Sequence, residues 1–242
     1  MLLADGRLPA GGHAHSAGVE AAIGDGRVVD EGTLEAFVRG RLLTTGLVEA
    51  ATTAATVLRL VGAGAECPGA ATATAAAFGD GTRASTGAVL VAVDAELQAR
   101  ILAPPLQRAS RRLGRQLVRV GSRCWPHPLF TVLAEVLPAG AHQPVAMGVT
   151  ALAAGLGPRA AAELAVHHAI STPAQAAVKL LGLDPYAVAA MTARIGPEAL
   201  EIVSRALAAA FGPLAELPAR SGPLLELAAL DHDRREQRMF AT

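Results

Sequence analysis

Aromatic residues make up only 3% of this 242-residue chain. Its core therefore cannot rest on large rings. It must be built from Ala, Leu and Val, within a composition that is 52% hydrophobic. Lysine is almost absent, since Lys179 is the only one and every other basic residue is arginine. No excess of either charge exists, because 21 basic residues balance 21 acidic ones. That balance argues against the basic footprint by which proteins hold nucleic acid or anionic membranes. Two cysteines, Cys67 and Cys124, are too few and too far apart for a disulfide framework. No charged stretch followed by an apolar one opens the chain, so no secretory signal is expected and the reducing cytoplasm is the expected compartment.

A membrane span is also missing. Val136 to Pro158 carries no formal charge, but Pro138, His142, Gln143, Pro144 and several glycines interrupt it. The clean run, Val145 to Gly157, falls short of the about 20 apolar residues that a bilayer requires. It predicts a helix buried on all sides. The chain has no Gly-x-Ser-x-Gly elbow, His-Glu-x-x-His, Walker A or dinucleotide fingerprint, and its acids are scattered. No internal repeat is evident.

What remains reads as an all-α, single-domain bundle over residues 1–242, with roughly eight to ten helices. Alanine and leucine favour helix, and β-branched runs are few. Val28 to about Gly62 reads as one long helix or two in series, with Thr33 as N-cap. Gly62 to Gly81 reads as a loop, with Gly79-Asp80-Gly81 as a break. Arg83–Leu102, Leu106–Arg123, Pro158–Leu181, Asp184–Arg194 and Glu198–Phe211 follow as helices with apolar residues at three- to four-residue steps. Pro213, Pro218 and Pro223 then break the chain before its tail.

Several groups carry chemistry. At the start, Leu3 to Glu20 reads as an apolar segment, a Gly11-Gly12 turn and a helix, with Ser16 as N-cap and Glu20 at about capping-box distance. Such a loop is either an anion cradle or a tight turn, and it lacks the Lys-Ser/Thr ending of a phosphate loop. Arg108, Arg111, Arg112, Arg115, Arg119 and Arg123 crowd one helix, as a docking face for an acidic partner or as a solvated face with local ion pairs. Cys124-Trp125-Pro126-His127-Pro128 reads as an interhelix connection; Cys124 and His127 would make half of a metal site, but no second pair stands at suitable spacing, so ordinary loop chemistry is the expectation. His142 enters the buried helix as an interface candidate. His167-His168 point about 100° apart on a helix and cannot easily chelate one ion. Asp231-His232-Asp233 fan apart in the same way.

The chain resembles the urease accessory protein family UreF. Its N-terminal pattern is matched at Leu3, Ala4, Asp5, Leu8, Pro9, Gly11, Gly12, His15, Ser16, Gly18 and Glu20, and departs at Ala10, His13 and Ala14. A second motif is matched by Ala109-Ser110, Gly114 and Leu117, while Pro105 and Gln107 stand where the family often carries Glu and Arg. His142 matches a histidine before the central helix. The tail matches at His232-Asp233 and Arg238-Met239-Phe240-Ala241-Thr242. At Gly182-Leu183-Asp184-Pro185 the family's Pro-Leu-Gly-Gln run is replaced, so a reshaped turn is expected.

The resemblance implies an all-helical, non-catalytic scaffold that dimerises and joins UreD (also called UreH). Together they would recruit and regulate the GTPase UreG on the urease apoprotein, for GTP-dependent nickel insertion. It implies no cofactor or metal of its own. The residues expected to face partners are Gly11, Gly12, His15, Ser16, Glu20, Arg111, Arg115, His142, Arg238 and Phe240. A rival of another class is a helical metal-dependent enzyme using His13, His15, His142 and Asp231–Asp233. A third is a helical bundle that binds a small ligand, which a large dry pocket would favour.

Overall fold

The computed structural model describes residues 2–5, 8, 15–66 and 78–233. Among them there are helices and no strand. Their order is α1 (Val19–Gly24), α2 (Glu31–Arg41), α3 (Leu47–Gly62), α4 (Asp80–Arg100), α5 (Pro104–Cys124), α6 (Leu129–Val136), α7 (Gln143–Ala153), α8 (Pro158–Leu181), α9 (Pro185–Arg194), α10 (Gly196–Phe211) and α11 (Pro223–Asp233). A π-helical turn, Leu42–Gly46, joins α2 to α3 without a break, so of the two readings of Val28 to Gly62, one long helix or two in series, the first comes nearer, from Glu31 onward.

Helix α3 is the axis. It is buried on nearly every side, and α4, α7, α8 and α10 pack against it. Its sequence explains how. Ala50, Ala51, Ala54 and Ala55 keep the rod thin, and Thr52, Thr53 and Thr56 are buried beside them. Each of these threonines returns its hydroxyl to the carbonyl four residues earlier, at 2.8 Å. A buried hydroxyl is thereby satisfied within its own helix. Helix α7 is the predicted buried helix, with every residue from Pro144 to Ala153 inside.

Glycine sets the closest approaches. A β-carbon at Gly148 of α7 would lie 2.5 Å from Thr56 Cβ of α3. One at Gly121 of α5 would lie 2.8 Å from Thr150 Cγ2 of α7, and one at Gly114 would collide with the Ala141 carbonyl. With few rings to fill space, the helices close to backbone distance instead.

Two cap expectations are corrected. Helix α2 is capped by Asp30, whose side chain accepts the Thr33 N–H at 2.8 Å. Thr33 is the reciprocal partner, its hydroxyl accepting the Asp30 N–H at 3.0 Å. Ser16 does not cap α1. That helix starts after Gly18, at φ 86°, and only the Ser16 carbonyl meets it, accepting the Val19 N–H at 3.1 Å. Two further boundaries shift. The Gly79-Asp80-Gly81 break is the start of α4, with Gly79 as N-cap. Pro104 and Pro105 open α5 rather than precede it, because proline suits the first helical turn. The turn at Gly182–Pro185 ends α8 on a left-handed Gly182, and Asp184 then caps α9.

Candidate functional site

The predicted site residues fall into three places. Gly11, Gly12, Arg238 and Phe240, and also His13, lie outside the described residues. His15, Ser16 and Glu20 lie at the N-terminal motif. Arg111, Arg115 and His142 meet at the junction of α4, α5 and α7.

The N-terminal motif is folded inward. Leu3, His15 and Ser16 are buried, and the Ser16 hydroxyl has no hydrogen-bond partner. Glu20 is half-buried in the first turn of α1. The adjacent His167 and His168 of α8 hold the opening 3-10 turn, their Nε2 atoms lying 3.2 Å from the Ala4 carbonyl and 2.9 Å from the Leu3 carbonyl. A carbonyl only accepts, so both nitrogens carry a proton. Burial lowers the His168 pKa, which the Leu3 bond partly offsets. At the other end of the motif, a β-carbon on Gly18 would lie 2.9 Å from Leu225 of α11. The first motif and the last described helix therefore share one side of the molecule.

Between them lies a cavity of about 170 Å³, walled by His15, Arg41, Thr45, Glu49, Ser110 and Glu226 among others. The π-helical turn shapes it, since π turns interrupt the regular ladder and recur at functional sites. Arg41 donates to Thr45 Oγ1 and Glu49 Oε1, both at 3.0 Å, while its own Nε is buried without a partner. Burial raises the Glu226 carboxyl pKa. On its outer face α11 shows Leu224, Leu227 and Leu230 to solvent.

The junction is a closed network. Asp94, on the apolar face of α4, is 2% exposed. One carboxylate oxygen accepts the His142 backbone N–H at 2.8 Å and the other accepts from Arg111 at 3.0 Å. Arg111 also donates to Gln98 Oε1 at 2.9 Å and to the Gly140 carbonyl at 2.6 Å. His142 Nε2 meets the same Gln98 oxygen at 2.7 Å. An amide oxygen accepts only, so Nε2 carries the proton and Nδ1, buried and unpartnered, keeps a bare lone pair. Burial is the main cause that lowers the His142 pKa to about 4. Arg115 donates to the Ala139 carbonyl at 2.7 Å. Ser110 accepts the Gln143 N–H at 3.1 Å. The Ala109-Ser110, Gly114 and Leu117 motif is thus the device that seats α5 on the entry to α7.

Residue patterning missed Asp94 and Gln98. The signal was present, for an aspartate stands on the apolar face between Leu90, Val93 and Leu97. His127 is engaged by the main chain. Its Nδ1 accepts from the Leu129 N–H at 3.2 Å and its Nε2 faces the Glu66 carbonyl at 3.3 Å. Cys124 is exposed and free. Among the described residues no group of three or more His, Cys, Asp or Glu is placed to hold a metal ion, and no helix is long and apolar enough to cross a membrane.

Comparison with known proteins gives one consistent answer. The UreF family model matches residues 28–196. The urease accessory protein UreF of Mycolicibacterium vanbaalenii is 38% identical, over 100% of this chain and 97% of its own. Those of Mycobacterium sp. (strain JLS) and Mycobacterium marinum are 37% and 36% identical over the same shares.

Proposed function

The chain belongs to the UreF family of urease accessory proteins, and from that premise we propose that it is a non-catalytic scaffold of urease maturation. In this reading it dimerises in the cytoplasm and binds UreD (UreH). The pair then brings the GTPase UreG to the urease apoprotein and regulates it, so that GTP hydrolysis supports nickel insertion. Nickel is cargo in that process. The observation that carries the proposal is similarity to urease accessory proteins along the whole chain. The fold supports it. The junction residues Arg111, Arg115 and His142 bond to the protein's own backbone and side chains. The N-terminal motif and α11 share one side, and the leucines of α11 face outward there. An exposed apolar stripe on a terminal helix is a common form of protein interface.

The test is co-purification of UreD and UreG with the tagged chain. Full-length protein is expected to retain both. Deletion of Arg238–Thr242 combined with Gly11→Ala and Gly12→Ala is expected to release at least one. An undiminished complex would remove those termini from the interface, and no complex with the unaltered chain would remove the scaffold itself. The rival metal enzyme predicts stoichiometric nickel or zinc binding by the isolated chain. Titration calorimetry without such binding disposes of it.

A further inference from the structure

On the scaffold reading, we propose that the outer face of α5 is a docking ridge for an acidic protein surface, formed by Arg108, Arg112, Arg115, Arg119 and Arg123. Successive steps of four, three, four and four residues place these five side chains within an arc of about 80° and along about 22 Å of helix. All five are exposed. The sixth arginine of the helix, Arg111, is turned off that line and into the Asp94 junction.

The rest of the surface makes the ridge unusual. Several arginines elsewhere come with an acid: Arg27 with Asp25, Arg83 with Glu135, Arg159 with Glu163, and Arg194 with Glu35. Helix α5 contains no acidic residue at all, in a chain whose charges balance. The side chains of Arg112, Arg119 and Arg123 make no ion pair or hydrogen bond with any described residue. Arginines three and four residues apart repel one another, so the uncompensated charges of Arg112, Arg119 and Arg123 are a standing cost to the isolated helix. A partner carrying Asp or Glu at matching steps would remove that cost, and guanidinium forks suit carboxylates in pairs.

The alternatives are weaker on the same facts. Nucleic acid would call for a broader basic field than a chain of balanced charge offers, and for rings beside the basic row, whereas the exposed Tyr186 and Phe211 stand on α9 and α10. A membrane would call for apolar side chains among the basic ones, whereas the apolar side of α5, with Ala109 and Leu117, faces the core.

The test uses the full chain, its Arg112→Glu/Arg119→Glu/Arg123→Glu variant, and its Arg112→Gln/Arg119→Gln/Arg123→Gln variant as a milder control. Dissociation constants are measured against purified UreD, UreG and urease apoprotein across a sodium chloride series. For one of these partners the Glu variant is expected to bind at least tenfold more weakly and the Gln variant to lie between. The unaltered chain should also lose affinity with salt more steeply than either. Equal affinities of all three proteins for every partner would overturn the ridge and leave the scaffold standing. No binding by the unaltered chain would take down both. Duplex DNA and phosphatidylserine vesicles are titrated alongside, and a loss confined to either would also overturn the proposal, by assigning the row to a polyanion. Were the Glu variant to fail to fold, the Gln variant and the salt series would decide alone.

Discussion

The two sides of α5 carry the same residue type to opposite ends. Inside, Arg111 is shared among a buried carboxylate, an amide and a carbonyl, where Ala109, Gly114, Leu117 and Gly121 let α7 come close. Outside, Arg112, Arg119 and Arg123 stand in water. Burial separates the two sets. An exposed charge pair is worth about 0–1 kcal/mol, whereas breaking a buried one costs about 3–5 kcal/mol, because the surviving charge is stranded. The inner arginine should therefore matter to folding and the outer ones to association. The largest expected effect follows directly. Asp94→Ala strands Arg111 and leaves the His142 N–H unpaired, and should lower stability by about 3–5 kcal/mol. At about 2–4 °C per kcal/mol for a chain of this size, the melting temperature should drop by roughly 10 °C. Arg111→Ala should cost a comparable amount, and the double variant less than the two added together, because they break one network. Additive losses in calorimetry would show that the junction is not a unit.

Next in size is the steric half of the same contrast. Gly114→Ala places a methyl group against the Ala141 backbone, which cannot rotate away as a side chain could. Overpacking of this kind costs about 1–3 kcal/mol. Gly40 of α2 offers the control, since nothing lies within 4 Å of a β-carbon there. Gly40→Ala should raise stability by about 0.5–1 kcal/mol, through helix propensity alone. Urea titration of both variants checks the pair. A Gly114→Ala protein as stable as the parent would mean that α5 and α7 can slide.

A further effect, spread over about two pH units rather than set by one substitution, should appear with pH. The His142 pKa falls from 6.5 to about 4, chiefly through burial, so the folded protein holds the neutral ring. Below about 6.5 the unfolded chain takes up a proton first. This group's contribution is then complete above pH 6.5. It declines by up to about 1.4 kcal/mol per pH unit as the pH falls towards 4, and levels off beneath. His168 and His127, also lowered by burial, slope the same way. His142→Gln should flatten the curve over that window, and an unchanged slope in urea midpoints at pH 7, 6 and 5 would relieve His142 of the role.

The comparison also explains what was legible in the sequence. The helices were, because Leu90, Val93 and Leu97 or Leu200, Val203 and Leu207 recur at helical steps, and proline and glycine mark the ends. The buried character of α7 was legible from its lack of charge. The capping of α2 was misassigned, because Asp30 and Thr33 each bond to the other's backbone and either resembles a cap when read alone. The junction was hidden for a different reason. Asp94, Arg111 and His142 come from three segments, and no local rule pairs residues 17 and 48 positions apart. The resemblance marked His142 and the Ala-Ser-Gly helix without saying why. Their geometry gives the reason, a backbone crossing that needs glycine and a turn that needs clamping.

The smallest effect belongs to the outer row, and it differs in sign from the losses at the junction. Replacing Arg112, Arg119 and Arg123 by glutamine removes no intramolecular bond among the described residues and relieves like-charge repulsion. Stability should stay within about 0.5 kcal/mol of the parent, and any change should be a gain. The gain should shrink as salt rises, because screening acts on exposed charges and hardly on a buried pair. The Asp94→Ala deficit should accordingly persist in 0.5 M sodium chloride while the glutamine variant converges on the parent. Melting curves at low and high salt for the two variants, side by side, test the division of labour across α5 in a single experiment. If both respond to salt alike, the helix has one electrostatic environment, and the distinction between a folding face and a docking face is lost.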